Sequence, residues 1–278
     1  MTDEAARDQS ERYDRMAVGY ERWWAPVIAP YGTAVLDHLE RAVANGAREL
    51  LDVGTGTGAV AFAALRRWPG VRVTGIDPSG GMLDVARARA GRELTRAQGR
   101  RFTLVKAFGD RLPFDDGRFD AAASAFVLQL VPRRGAVLRE VRRVLRPGGR
   151  LALVTWLRGE RTFAADTALD DALDDAGLEP RGAEERNGDL PSARATAGSL
   201  RAAGFRAAVG DAAEFTHAWD VERYLEFVER FDEEDLFASE EPADRDRLRD
   251  AFRARLSALR SDELVMRYPI VYASGVRP

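Results

Sequence analysis

The stretch that decides the fold is Leu50-Leu51-Asp52-Val53-Gly54-Thr55-Gly56-Thr57-Gly58. The apolar run that starts at Glu49 predicts a short strand, and the alanine-rich segment Ala59 to Trp68 predicts a helix directly after the glycines. Glycine in such a turn permits positive φ and a close approach of the backbone to a ligand. The helix start adds N–H groups and partial positive charge. The stretch therefore predicts a ligand-binding turn between a strand and a helix.

Strand and helix patterns alternate on both sides of this turn. Further strands are predicted at Val71 to Ile76, Phe102 to Val105, Phe119 to Ala125, Arg150 to Trp156, Phe205 to Val209 and Leu264 to Tyr272. Helices are predicted at Ser10 to Trp24, Tyr31 to Val43, Met82 to Arg89, Arg134 to Leu145, Thr162 to Ala176, Val221 to Phe231 and Ala243 to Leu259, and one more ends at Gly204. This alternation indicates βαβ units and a parallel sheet, which binds ligands at the carboxyl ends of its strands.

Composition limits the class of protein. The 278 residues are 45% hydrophobic and 31% charged with a formal net charge of −3, which predicts a globular protein without a basic surface for nucleic acid. Because the chain has no cysteine, disulfides and thiolate metal ligands are excluded, and no metal site is predicted. We find no signal-peptide core and no apolar run long enough to span a bilayer, so we expect a cytoplasmic protein.

A second feature is Asp77, directly after the second predicted strand. It lies 25 residues beyond Asp52 (77 − 52), and the dinucleotide-binding fold places a ribose-binding acid at about 20 residues. Gly54, Gly56 and Ala59 also fit the GxGxxA form of that fold's fingerprint. Taken alone, these residues leave three interpretations: a dinucleotide site, a site for another adenosine ligand, or a turn without a ligand in which Asp77 caps the next helix.

Four segments resemble the motifs of class I S-adenosylmethionine methyltransferases and follow the family's order. They are Leu50 to Gly58, with an acid before a GxGxG turn, Ile76 to Leu83, Leu112 to Asp120 and Val144 to Leu151. The resemblance covers roughly residues 13–157. Within the family, these segments are similar to the small-molecule branch that includes the ubiquinone and menaquinone methyltransferases. The resemblance implies an α/β, Rossmann-like, mostly parallel seven-stranded sheet with an antiparallel last strand, helices on both faces and added helical lid segments.

On this resemblance we expect a single class I methyltransferase domain over residues 1–278. Residues 1–45 would form an N-terminal helical cap and residues 46–157 the cofactor-binding core. Residues 158–203 and 218–260 would be helical insertions on the side of the methyl acceptor. We find no repeat or low-complexity linker that would separate them into independent domains.

The resemblance implies S-adenosylmethionine as the cofactor and S-adenosylhomocysteine as the product. Asp52 would hold the ammonium group of the methionine moiety, directly or through water. The backbone from Gly54 to Gly58, which includes Thr55, Gly56 and Thr57, would face the carboxylate. Asp77, with Pro78 beside it, would bind the ribose.

Three further contacts follow from the resemblance. Met82 would cover one face of the adenine, and the backbone from Ser124 to Phe126 would pass beneath the methionine arm. Tyr20, in the segment Tyr13 to Tyr20, would close over the cofactor. The alternative for Tyr13 and Tyr20 is ordinary packing of a helix.

The chain departs from the family pattern where the adenine amino group is read. An acid and a small residue are usual after the third strand, but Phe108 occupies the position of the acid, with Gly109 next and Asp110 after it. Either Phe108 packs on the adenine and Gly109 offers its N–H, or the loop shifts and Asp110 reads the amino group.

Chemistry at the acceptor is less defined. Methyl transfer from the sulfonium proceeds by in-line displacement and depends mainly on alignment, with a general base for a hydroxyl, amine or acidic carbon. His217, after the sixth predicted strand, is the candidate base and pocket residue, whereas His38 is expected in surface or packing contacts.

Aromatic residues beyond Trp156 indicate the class of acceptor. Phe163, Trp219, Tyr224, Phe227, Phe231 and Phe237 predict a small apolar or aromatic molecule, unless they only pack helices together. The fourth strand ends in Ser124-Ala125-Phe126 and lacks the Pro-Pro-aromatic motif of nucleic-acid amino methyltransferases, so no nucleic-acid partner is expected. A homodimer is one assembly that the sequence allows.

Two rival functions remain from the sequence. An NAD(P)-dependent oxidoreductase would share the glycine turn and Asp77, but Asp52 and the two later motifs favour a methyltransferase. A methyltransferase-like protein that binds the cofactor without catalysis is consistent with the altered segment at Phe108.

Overall fold

The computed structural model describes residues 2–159, 163–179 and 188–278. The strands are β1 (Glu49–Val53), β2 (Arg72–Asp77), β3 (Phe102–Lys106), β4 (Phe119–Ala125), β5 (Leu145–Trp156), β6 (Arg206–Ala218) and β7 (Val265–Val276). They form one seven-stranded sheet in the order β3-β2-β1-β4-β5-β7-β6. Strands β1 to β5 are parallel where they pair, and β7 runs antiparallel to β5. The predicted Rossmann-like sheet with an antiparallel last strand is confirmed.

Helices surround this sheet in the described part of the chain. They are α1 (Thr2–Gly19), α2 (Ala25–Ala34), α3 (Glu40–Ala44), α4 (Ala59–Arg67), α5 (Gly80–Glu93), α6 (Arg96–Gly99), α7 (Arg134–Val144), α8 (Ala164–Ala176), α9 (Ala193–Ala202), α10 (Val221–Phe227), α11 (Glu234–Ser239) and α12 (Pro242–Ala258). Two π-helical segments, Tyr20–Trp24 and Val228–Asp232, continue α1 and α10. None of the described helices is long and apolar enough to cross a membrane.

The central strands are buried on both faces. All five residues of β1 are buried, and neighbouring side chains on a strand point to opposite faces. Leu50 belongs to the hydrophobic cluster that contains Phe62 of α4, whereas Leu51 belongs to the cluster that contains Leu138 of α7. Burial on both faces explains the unbroken apolar run that predicted this strand.

Several element boundaries differ from the sequence prediction. Strand β5 begins at Leu145 and includes the turn predicted before it, with an irregular register between Phe119 and Ala121. The predicted placement of His217 after the sixth strand is wrong, because β6 extends to Ala218 and contains it. Most of the polar loop predicted from Glu179 to Pro191 lies outside the described residues.

The chain separates into two compact units. The first contains Met1–Arg158, Asn187–Ala213 and Ile270–Pro278, and therefore the strands β1 to β5 and the glycine turn. The second contains Gly159–Arg186 and Glu214–Pro269. Its helices α8 and α12 contact each other, and Tyr224 lies among aromatic rings and donates a hydrogen bond to Asp166 Oδ1 at 3.0 Å. The predicted division into cap, core and insertions stays a prediction.

Candidate functional site

The glycine turn after β1 has three left-handed residues with different surroundings. Gly54, Gly56 and Gly58 have φ values of +69°, +51° and +94°. A Cβ atom on Gly54 would clash with Val127 Cγ2, and one on Gly58 would lie 2.8 Å from the Phe62 ring. A Cβ on Gly56 would meet nothing within 4 Å. Two glycines therefore fit the turn against its neighbours, and Gly56 leaves open space.

The turn is anchored to the sheet through Thr55. Its backbone N–H donates to Ile76 O at 2.8 Å, and its hydroxyl donates to Asp52 Oδ2 at 2.7 Å. A Cβ on Gly75 would lie 2.7 Å from the same hydroxyl oxygen, so only glycine fits there. Asp52 is 1% exposed, so its side chain contacts the turn from inside the protein.

Asp77 connects the end of β2 to the turn. Its Oδ2 accepts a hydrogen bond from Gly56 N at 2.9 Å, and its Oδ1 accepts one from Ser79 N at 2.9 Å. Burial raises the pKa of Asp77 to about 6, and burial also raises the pKa of Asp52 to about 7. Each carboxylate keeps lone pairs that can accept further hydrogen bonds.

A mostly apolar cavity lies above the turn at the carboxyl ends of the strands. The predicted site residues that line it are Tyr20, Gly54, Gly56, Asp77, Pro78, Met82, Phe108, Gly109 and Phe126. Seven predicted site residues, all within the described part of the chain, are not in this lining: Asp52, Thr55, Thr57, Gly58, Asp110, Ser124 and His217. Thr55 and Gly58 shape the turn instead, and a direct contact of Asp52 with a ligand stays a prediction.

Helix α1 contributes wall residues that the sequence analysis did not assign to the site. Gln9, Ser10 and Tyr13 line the cavity together with Tyr20. The Tyr13 and Tyr20 ring centroids are 6.1 Å apart in an edge-to-face arrangement. Burial raises the pKa of Tyr13 to about 12 and also raises that of Tyr20, so both phenols stay protonated. The spacing of residues 9, 10 and 13 on one helix face was the available signal.

The segment after β3 contains the residues predicted to contact an adenine. Phe108 is 38% exposed and lines the cavity with Gly109. The carboxylate of Asp110 pairs with the Arg133 guanidinium at 2.6 Å and lies outside the lining. Phe108 and Gly109 therefore face the cavity and Asp110 does not, and the way in which an adenine is read stays a prediction.

The end of β4 holds a strained backbone. Phe126 has a φ of +55°, which side-chain-bearing residues rarely adopt. Its N–H donates to Val154 O at 2.8 Å, its carbonyl accepts from Gln129 Nε2 at 2.6 Å, and its ring lies 4.5 Å from that of Trp156. Ser124 instead faces inward and donates to Val53 O at 3.0 Å. Strain of this kind is often found at ligand sites.

The two histidines have different environments. His38 stacks on Tyr272 with ring centroids 5.5 Å apart, in the packing contact expected of it. His217 is half-buried in the second unit and meets Trp219 edge-on at 4.6 Å. Burial, with Arg223 nearby, lowers the pKa of His217 and keeps its ring neutral. Among the described residues, no group of three His, Asp or Glu side chains could hold a metal ion.

Comparison with known proteins defines the class. Residues 51–153 match the family model described as a methyltransferase domain. A ubiquinone/menaquinone biosynthesis C-methyltransferase of Paracoccus denitrificans is 40% identical over 141 residues, which cover 51% of this chain and 51% of that protein. The chain thus spans about half the length of the curated relatives it matches. Residues 51–153, which match the family model, contain the glycine turn, Asp77 and the end of β4.

Solved structures show the same fold. A Haemonchus contortus phosphoethanolamine N-methyltransferase is 20% identical with a TM-score of 0.52, covering 88% of this chain and 52% of its own. The [4+2]-cyclase SpnF is 23% identical with a TM-score of 0.56, covering 91% and 82%. Residues 51–153 thus match a methyltransferase domain in sequence, and the solved structures show the same fold. The resemblance to the ubiquinone and menaquinone methyltransferases is confirmed over that part of the chain.

Proposed function

We propose that this protein transfers a methyl group from S-adenosylmethionine to a small apolar or aromatic acceptor. The observation that carries this proposal is the open space at Gly56, bounded by the Asp77 carboxylate and located inside the methyltransferase domain. A Cβ at position 56 would occupy that space, so the turn is shaped for a ligand that approaches the backbone closely.

The lining residues fit the parts of the cofactor. Asp77 keeps lone pairs that would accept hydrogen bonds from the ribose hydroxyls, and the backbone of the turn would face the methionine carboxylate. Phe108 and Met82 offer apolar surface to the adenine. Tyr13 and Tyr20 stay protonated and can donate hydrogen bonds. When bound, the cofactor supplies an activated sulfonium methyl group, and the protein's task is to orient the acceptor.

The apolar wall of the cavity supports the acceptor class. Phe126, Val127, Leu130, Val131 and Pro132 line the cavity beyond the end of β4 and offer mainly carbon surface. The Paracoccus relative is named for C-methylation in quinone biosynthesis. We therefore propose a quinone-type aromatic ring as the acceptor. In its reduced, hydroquinone form the ring carbon is nucleophilic: it would form the new C–C bond as the S–CH₃ bond breaks and S-adenosylhomocysteine leaves, and would then lose its proton to a base.

Calorimetric titration with S-adenosylhomocysteine, NAD and NADP tests the cofactor. We expect binding of S-adenosylhomocysteine alone, and weaker binding by Asp77→Asn. NAD binding would support an oxidoreductase, and no binding of any of the three would contradict the proposal. Transfer of a labelled methyl group from S-adenosylmethionine to a demethylated quinone precursor then tests catalysis. Cofactor binding without transfer to any quinone-type precursor would contradict the acceptor class and favour a different reaction or a protein without catalysis.

His217 is the proposed acid–base residue for the acceptor. Its lowered pKa leaves the ring neutral and able to take up a proton at neutral pH. We expect His217→Ala to lower turnover by about 10²-fold or more while S-adenosylhomocysteine binding stays unchanged. His38→Ala is the matched control, because His38 stacks on Tyr272 and lies outside the cavity lining. Unchanged turnover and acceptor affinity in His217→Ala would exclude the role.

Assembly and location stay predictions. Sedimentation of the purified protein over a range of concentrations tests the homodimer, and fractionation of cells that express it tests the cytoplasmic location. A monomer at all concentrations would contradict the first, and recovery with membranes would contradict the second.

A further inference from the structure

Helix α1 covers the cofactor cavity, and one side chain fixes it to the methyltransferase domain. Asp14 Oδ1 accepts a hydrogen bond from Ser79 Oγ at 2.6 Å and another from Gly81 N at 2.8 Å. Ser79 is the N-cap of α5, the helix that follows Asp77, and Gly81 lies in its first turn. The carboxylate therefore joins α1 to the helix start next to the ribose-binding acid.

The start of α5 favours a carboxylate at this position. A helix N-terminus carries partial positive charge and unpaired N–H groups. The hydrogen bonds from Ser79 and Gly81, and the charge of Lys106, hold the pKa of Asp14 below its usual value. Lys106 is the only lysine of the chain, and its Nζ lies 3.3 Å from the position that a Cβ on Gly80 would take. Asp14 is therefore ionised, and the Ser79 hydroxyl, the Gly81 N–H and the charge of Lys106 all stabilise its carboxylate.

The backbones of the two helices meet closely at Gly81. A Cβ on Gly81 would lie 2.6 Å from the backbone oxygen of Asp14 and 3.0 Å from its Cα. Both are backbone atoms of α1 that cannot move aside unless the helix itself shifts. Glycine at position 81 thus permits the close contact that the Asp14 carboxylate maintains.

Ser79 connects Asp14 to the cofactor site. It is fully buried, its N–H donates to Asp77 Oδ1 at 2.9 Å, and its hydroxyl accepts from Met82 N at 3.0 Å. The same hydroxyl donates to Asp14. Because Asp77 and Met82 both line the cavity, a displacement of α1 would also disturb the residues that hold the adenosine.

We propose that Asp14 is a positioning residue that docks α1 on α5 so that Gln9, Ser10 and Tyr13 form a wall of the cofactor cavity. The inference rests on the proposed function. Asp14 itself lies outside the cavity lining and acts through Ser79 and Gly81. On this proposal, cofactor affinity depends on the contact of Asp14 with Ser79 and Gly81, although Asp14 does not line the cavity.

Two measurements on the full-length protein test this inference: hydrogen exchange of amides in residues 7–19 without ligand, and the affinity for S-adenosylhomocysteine. Asp14→Ala should exchange faster in this segment and bind about three- to tenfold more weakly, since it loses two hydrogen bonds. Asp14→Asn keeps an acceptor oxygen, so its exchange rate and its affinity should lie between those of the wild type and of Asp14→Ala. Glu11→Gln, which removes an exposed charge from the same helix, is the matched control.

Gly81→Ala provides an independent variant. It should weaken binding in the same direction as Asp14→Ala, and the two effects should be less than additive when combined, because both release the same contact. Exchange in β1 and β4 should stay as in the wild type, which separates positioning from general loss of stability. Unchanged exchange of residues 7–19 in Asp14→Ala, or full additivity, would overturn the inference. Failure of the wild-type protein to bind S-adenosylhomocysteine would instead contradict the proposed function.

Discussion

At Gly56 two features favour glycine: the positive φ of its backbone and the open space that we propose a ligand fills. The substitution Gly56→Ala costs backbone strain of about 1–2 kcal/mol but meets no neighbouring atom within 4 Å. We expect the free energy of unfolding to fall by that amount and the affinity for S-adenosylhomocysteine to fall by at least about tenfold, because the methyl group occupies the ligand's space.

A matched control for this prediction is Gly46→Ala. Gly46 also has positive φ, +102°, and open space around it, but it lies outside the cavity lining. It should show a similar loss of stability with unchanged affinity, measured by urea unfolding and calorimetry. Equal losses of affinity in both variants would show that Gly56 acts only through stability.

The buried carboxylates give the protein an unusual pH dependence. Burial raises the pKa of Asp52 to about 7 and that of Asp77 to about 6, from 3.8 in the absence of burial. The folded chain therefore keeps these protons to a higher pH than the unfolded chain. By linkage, these two groups make the free energy of unfolding of the ligand-free protein fall as the pH rises from about 4 through about 7.

Urea unfolding at a series of pH values checks this prediction. Asp52→Asn should flatten the slope, because the amide has no proton to lose. Asp84→Asn is the control, since Asp84 is exposed and pairs with Arg87 on the helix surface. A slope that is the same in Asp52→Asn and the wild type would assign the dependence to other groups.

Single residues were predictable where the chemistry is local. Asp77 follows a strand and precedes a helix, and both its burial and its contact with Gly56 follow from that position. The bond from Thr55 to Asp52 and the strain at Phe126 were not predictable. Each depends on a partner brought in by the sheet, since Phe126 is held by Val154 on the neighbouring strand.

At the scale of elements, Arg89 of α5 ties the π-helical segment to the glycine turn. Its NH1 donates to Glu21 Oε2 at 2.9 Å and to Thr57 O at 3.1 Å, and its guanidinium lies 5.2 Å from the Phe62 ring centroid. The side chain is only 14% exposed. Arg89→Ala leaves these acceptors unpaired, so we expect a loss of about 2–3 kcal/mol in the free energy of unfolding.

The control for Arg89→Ala is Arg87→Ala on the same helix. Arg87 pairs with Asp84, but its side chain is 64% exposed, so its removal should change the free energy of unfolding by less than about 0.5 kcal/mol. Urea unfolding measures both values. Similar small changes in the two variants would mean that the contact with Glu21 and Thr57 contributes little.

Elements were predictable in proportion to their periodicity. The apolar run of β1 and the helical spacing of α7 are properties of the chain itself, and both formed as expected. The extension of β6 to Ala218 was not, because its burial pattern is mixed and gives little signal. The π-helical turn at Tyr20–Trp24 also has no local signature and depends on contacts such as that of Glu21 with Arg89.

At the scale of the molecule, the two units differ in how far their functions could be predicted from the sequence. The first contains the family motifs, and all residues of the described cavity belong to it. The second contains the aromatic residues taken as signs of an acceptor, and among the described residues Tyr224 contacts Phe163, Trp219, Phe227 and Phe252. Such packing forms a core whether or not a ligand binds, which is why the acceptor could not be derived from composition.

A pair of equivalent substitutions tests whether cofactor binding depends on the first unit alone. Phe252 and Phe62 are both fully buried, the former in the second unit and the latter against Gly58 in the first. Each change to alanine should cost about 3–5 kcal/mol in local stability. We expect Phe252→Ala to speed hydrogen exchange in α8 and α12 and leave S-adenosylhomocysteine affinity unchanged, whereas Phe62→Ala should weaken that affinity because the glycine turn loses its support. Weakened binding in Phe252→Ala would show that the second unit contributes to the cofactor site.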